Sequence, residues 1–277
     1  MPAATPALAL IIFVAGAVAG ALGALLGLGG GIFLVPFLNL GFNFPITQAA
    51  AISLTTVIAT SSSVSAGRAG KQLINMRLGM LLEVATAAGS LFGGVTAQFL
   101  AQSTLQRLFG IVAMVVAIIM LTRIGRRNVI SDPSATTGVL GGRFHDVESG
   151  GVVTYRVKRL PVAIVASFVA GNVSSLLGIG GGIIKVPVLN AWCGVPLRVA
   201  AATSAFMIGV TATAGAVIYY GRGQIIAVLA AAAVLGVQLG SWGGMHFGQH
   251  ASSKWLKVLM AGVLIIVSGL MFVRAAH

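Results

Sequence analysis

The chain has 277 residues, of which 57% are hydrophobic and only 8% charged, with a formal net charge of +13. Ordinary soluble domains carry about a quarter charged residues, and here no charge occurs before Arg68. That opening excludes a water-soluble fold and requires spans of about 20 apolar residues whose backbone is hydrogen-bonded internally.

In chain order, the apolar blocks predict helices at about 7–26, a short piece 32–41, then 46–66, 78–99 and 104–122. A second series follows at about 160–177, a short piece 183–191, then 197–219, 224–246 and 254–273. The first block is read as a retained helix, because it lacks the positive leading region of a signal peptide. Each short piece covers only about 15 Å at 1.5 Å per residue, about half of the hydrocarbon core.

The two series are related. Leu25 to Ser53 aligns with Leu176 to Ser204 at a constant offset of 151, without a gap, and 16 of those 29 positions are identical. LLGLGGGIFLVPFLN matches LLGIGGGIIKVPVLN, and PITQAAAIS matches PLRVAAATS. Apolar composition alone does not reproduce that spacing, so the expected fold is an all-α polytopic membrane protein built from two homologous repeats. The expected divisions are repeat 1 at 1–125, a linker at 126–159 and repeat 2 at 160–277. If the short pieces complete a crossing, the repeats are inverted with five segments each; if not, they are parallel with four, giving eight to ten transmembrane segments in all.

Arg68, Lys71 and Arg77 fall in one loop, and Arg123, Arg126, Arg127, Arg143, Arg156, Lys158 and Arg159 in or beside the linker. Both regions are expected to be cytoplasmic, and the charge count favours the inverted version. Within the linker, polar and apolar residues alternate around Glu148 to Gly151, which predicts a small cytoplasmic β-hairpin acting as a capping loop or, alternatively, a partner-binding surface.

The duplicated Gly-x-Gly-Gly-Gly runs should break a helix at membrane depth and aim the amides of a new helix into the protein. Two such ends would make an anion site from Gly29, Gly30 and Gly31 with Gly180, Gly181 and Gly182; the competing role of these glycines is close helix packing. Pro36 and Pro187 would free carbonyls that Asn39 and Asn190 could cap, or the asparagines could contact substrate. Lys185 breaks the symmetry, since its counterpart is Leu34. It could neutralise a bound anion or snorkel to the interface. Glu83 is the one acid inside a predicted span; a partnership with Arg77 or Lys71 is favoured over a role as coupling site. Ser53 and Ser204, matched across the repeat, are expected to face the cavity.

Enzyme chemistry has no support: there is no dinucleotide fold, P-loop or nucleophile–base constellation. His246 and His250 lack a nearby carboxylate, so no metal or other cofactor is expected. The positive charge is read as contact with anionic lipid and not with nucleic acid. Cys193 stands alone, which excludes an intrachain disulfide.

The glycine runs from Gly27 to Pro36 and Gly178 to Pro187, in two apolar halves joined by a charged linker, resemble the sulfite exporter TauE/SafE family of membrane permeases. That resemblance implies bacterial inner-membrane transport of small sulfur-containing anions such as sulfite or organosulfonates, usually as efflux. The expected partners are the anion and the lipid bilayer, with coupling to a proton or ion and homodimerisation both open. The function expected is a secondary transporter working by alternating access around the two breaks. A passive anion channel of the same fold and a membrane scaffold or sensor acting through the linker are the alternatives.

Overall fold

A computed structural model describes residues 5–26, 29–68, 73–122, 138–146, 151–247 and 253–276. Five helical elements precede a β-hairpin and five follow it. The first group is α1 (Pro6–Leu26), α2 (Gly31–Pro36) continued by a π-helical turn (Phe37–Gly41), α3 (Ile46–Arg68), α4 (Met76–Thr96) and α5 (Gln102–Thr122). The hairpin is β1 (Gly142–Asp146) and β2 (Gly151–Tyr155). The second group is α6 (Leu160–Leu177), α7 (Gly182–Ala191), α8 (Leu197–Gly221), α9 (Ala227–Phe247) and α10 (Ser253–Ala276). Among the described residues, seven helices are long and apolar enough to cross a membrane. The protein is a polytopic helical membrane protein.

The two groups interleave. α1 packs chiefly on α9, α4 on α6 and α8, α3 on α8 and α9, and α5 on α10. Small residues draw these seams close. A Cβ at Gly236, Gly240 or Gly244 would fall on the backbone of Phe13, Ala17 or Ala21, so α1 and α9 run parallel. On α4, Gly89 and Gly93 meet Phe168 and Asn172 of α6 in the same ascending order. α4 also runs parallel to α8, with Asn75 beside Thr203 and Glu83 beside Thr211. α5 and α10 run antiparallel, with Arg107 at Ala275 and Gly110 at Ser268.

The connection after each short helix has matched geometry. Asn39 donates to the Phe44 carbonyl at 2.7 Å and Asn190 to the Val195 carbonyl at 3.0 Å. Asn43 and Gly194, again 151 apart, both take left-handed backbone, with φ of 58° and 72°. Asparagine and glycine are the residues that tolerate that conformation. Pro36 has no amide to give the helix, and α2 passes at that point into the wider π turn.

The hairpin pairs Gly142 with Tyr155 and Asp146 with Gly151 in antiparallel register. Residues 147–150, the expected turn, lie outside the described residues, as do Lys71, Asp132 and His250. The Asn75 side-chain amide donates to the Leu140 carbonyl at 2.8 Å and to the Tyr155 hydroxyl at 2.9 Å, while its Oδ1 caps α4 at Leu78. The Lys158 amide reaches the Cys193 carbonyl at 2.9 Å. One end of the bundle therefore gathers the hairpin, the start of α4 and the ends flanking α7. The other end gathers Asn43 with Arg274 and Gln98 with Gln224.

Candidate functional site

α6 closes at Gly178, whose φ of +71° suits glycine, and its amide bonds the Ser174 carbonyl at 2.8 Å. Gly180 has φ +74° and its counterpart Gly29 has φ +75°. These are the positions where an L side chain would be strained. The new helices then start alike: the Leu34 amide reaches the Gly30 carbonyl at 3.3 Å and the Lys185 amide the Gly181 carbonyl at 3.2 Å. The two breaks adjoin, because a Cβ at Gly31 would fall on the Gly178 carbonyl oxygen.

The polar residues at the breaks divide into those already committed and those with spare capacity. Ser53 Oγ donates to the Gly178 carbonyl at 2.6 Å, so this hydroxyl of α3 pins one break to the other. Ser204 is also fully buried, yet its hydroxyl has no partner. Asn39 is buried and spends its amide on Phe44 while its Oδ1 accepts from Gln106 at 3.1 Å. Asn190 staples its own loop through Val195.

The second break also carries charge. Lys185 is 1% exposed, and its stem folds back so that a Cβ at Gly181 would lie 3.3 Å from Lys185 Cε. Its Nζ donates to Thr211 Oγ1 at 3.4 Å, and Thr211 Oγ1 lies 2.8 Å from Glu83 Oε1, to which it donates. Three side chains from α7, α8 and α4 thus make one buried chain of ammonium, hydroxyl and carboxylate. Glu83 Oε2 is buried and has no partner.

That arrangement differs from the partnership expected between Glu83 and Arg77; the alternative partner Lys71 lies outside the described residues. Six residues along a helix rotate the side chain by about 600°, which leaves Glu83 roughly 240° around from Arg77. Arg77 is exposed, whereas Glu83 is 8% exposed and faces α8. Lys185 in turn is 1% exposed, packed between Gly181 and Thr211 inside the bundle. The sequence alone does not mark Thr211 as the bridge between these charges. The missing signal was that α4 of the first group packs on α8 of the second.

At the position matched to this cluster the threonine is kept as Thr60, while Leu34 stands in place of Lys185. A narrow cavity there is lined by Gly23, Gly29, Thr60, Ser61, Ala205 and Ile208. A cavity of about 240 Å³ opens at the bundle end away from the hairpin, beside Thr47, Gln98, Gln102 and Gln224. Among the described residues, no group of three or more His, Cys, Asp or Glu side chains could hold a metal ion.

The family model for the sulfite exporter TauE/SafE matches residues 12–271. This chain belongs to the sulfite exporter TauE/SafE family. It is 28% identical over 266 residues to the probable membrane transporter protein YunE of Bacillus subtilis (strain 168), covering 93% of this chain and 94% of the relative. It is 25% identical over 269 residues to the probable membrane transporter protein MJ0441 of Methanocaldococcus jannaschii, covering 92% and 91%. A second B. subtilis relative, the probable membrane transporter protein YdhB, is 25% identical over 263 residues, covering 93% and 98%. No solved structure matches. The chain is therefore a membrane transporter of the TauE/SafE type, a class that is not enzymatic.

Proposed function

We propose that this TauE/SafE-type protein is a secondary transporter that exports small sulfur-containing anions, such as sulfite or organosulfonates, across a bacterial inner membrane. The observation that carries the reading is Lys185, a lysine 1% exposed inside an apolar segment and three residues into the helix that restarts at Gly182. Burying an ammonium there is costly unless it serves a negative partner, and the nearby Glu83 carboxylate leaves one oxygen unpartnered. The substrate site comprises Lys185, the amides of Gly180 to Gly182 and the free hydroxyl of Ser204. Gly29 to Gly31 and Ser53 hold the adjoining break against it, Asn39 and Asn190 fix the loops, and Glu83 is the coupling group.

Alternating access arises from two inverted repeats, 1–125 and 160–277, moving around that site. Support comes from helix direction. α1 parallels α9, α4 parallels both α6 and α8, and the short connection from Arg222 to Ile226 reverses α9 relative to α8. α1 and α6 then point in opposite directions. The hairpin end is cytoplasmic on this reading, because Arg77, Arg143, Arg156, Lys158, Arg159 and Arg198 lie there, against Arg107, Arg222 and Arg274 at the other end.

The test is flux in proteoliposomes with labelled sulfite, thiosulfate, sulfoacetate, taurine and chloride. Saturable movement of the sulfur oxyanions with little chloride flux is expected. Flux that scales with driving force without saturating would make the protein a channel, and no flux of any anion would remove both readings.

A further inference from the structure

Among the described residues, Glu83 and Lys185 are the charged side chains buried in the spanning helices, and both bond the Thr211 hydroxyl. We propose that they form an exchange pair: a small oxyanion takes Lys185 from Glu83, and Glu83 takes up one proton as it does so. This deepens the reading of the chain as an anion transporter and rests on it.

Charge balance supplies the argument. With the site empty, one negative and one positive group cancel. An oxyanion added beside them leaves an excess negative charge in a region where ions are poorly solvated. A proton on Glu83 restores neutrality and leaves Lys185 as the anion's counter-charge. Among the described residues of the packed helices, no other group is placed to do this. α6 carries no ionisable side chain, and on α4 the other charge is the exposed Arg77. On α8, Arg198 and Arg222 sit at the two ends and Tyr219 donates its hydroxyl to the Ser175 carbonyl. α7 contributes Lys185 alone.

The local geometry fits both states. Glu83 Oε1 is held by Thr211, while Oε2 is buried and bare, which leaves a lone pair for the proton. The Lys185 bond to Thr211 is long at 3.4 Å and its stem already lies over Gly181, so a small swing of Nζ turns it toward the start of α7. The proton comes from water on the open side, binds Glu83 Oε2 with no other bond broken, and leaves when the anion leaves. Proton and anion therefore cross together without net charge, so export runs when the outward anion gradient exceeds the inward proton gradient.

The test is calorimetric titration of the purified full-length protein with methanesulfonate and with ethanesulfonate, monovalent oxyanions that do not titrate near neutral pH. Paired runs in buffers of different ionisation heat count protons. The expected result is uptake of about one proton per anion, with affinity falling about tenfold per pH unit while Glu83 is ionised in the empty site. Glu83→Gln should still bind the anion but without proton uptake, and Lys185→Leu should lose binding. The double variant Glu83→Gln with Lys185→Leu, neutral at this position, should fold and not bind. Anion binding by the unaltered protein with no net proton uptake overturns the exchange pair and leaves the transporter reading standing; so does proton uptake that persists in Glu83→Gln. If Glu83→Gln does not fold, the proton count of the unaltered protein decides. Absence of both binding and flux for every probe anion overturns the transporter reading as well.

Discussion

Gly240 and Gly243 lie three residues apart on α9 and should respond to alanine with opposite signs. A Cβ at Gly240 would stand 2.6 Å from the carbonyl carbon and 2.7 Å from the Cα of Ala17, all rigid backbone of α1. The helices must separate or tilt to admit it, and overpacking of this kind costs about 1–3 kcal/mol, or roughly 5- to 150-fold in the folded-to-unfolded ratio. A Cβ at Gly243 meets nothing within 4 Å, so Gly243→Ala should be neutral or gain up to about 1 kcal/mol from helix propensity. Equilibrium unfolding in mixed micelles, followed by far-UV circular dichroism, reads both. Equal destabilisation by the two variants, or none from Gly240→Ala, would refute the close parallel seam of α1 and α9.

Other outcomes test the bundle end that carries the hairpin and the loops of the short helices. Tyr155→Phe removes the 2.9 Å bond from Asn75 and should cost about 1 kcal/mol, while Asn75→Ala also removes the α4 cap and the Leu140 contact and should cost more. Hydrogen exchange in β2 should rise in that order. Asn39→Ala strands the buried Phe44 carbonyl and the Gln106 amide and should destabilise by about 1–3 kcal/mol in the same unfolding assay. For topology, Cys193 itself is a poor reporter: it is buried, and burial raises its thiol pKa, with Arg159 pulling the other way. In a Cys193→Ser background, Trp192→Cys should resist an impermeant thiol reagent in intact cells and Arg222→Cys should react. The reverse pattern would invert the assigned sides.

Much of the architecture was legible because lipid narrows the choices. Eight long helices and both short pieces could be bounded within a few residues, since apolar runs must span and glycine runs must break. The hairpin strands followed from alternation, but Asn39 and Asn190 bond the carbonyls of Phe44 and Val195 in the loops after the short helices, where the expectation was for carbonyls freed by Pro36 and Pro187. What the sequence concealed was contact between groups distant along the chain. Glu83 and Lys185 are in separate halves, and a linear reading ties Glu83 to the arginine nearby unless the helical phase is followed. Ser53 and Ser204 look equivalent in the alignment, yet one is spent on Gly178 and the other is free. Symmetry of sequence predicts matched scaffolds; it does not predict which copy is used chemically.

The central claim is that the buried Lys185 recognises a transported oxyanion, and Lys185→Leu tests it with the residue that the other half carries at the matched position. Concentration-dependent thiosulfate and sulfite flux should be measured in proteoliposomes containing equal amounts of folded unaltered and variant protein. The account predicts saturable flux for the unaltered protein and a loss of about tenfold or more in the variant, the scale of one charge-assisted contact of about 1.5–3 kcal/mol. Equal flux with equal half-saturation would contradict it.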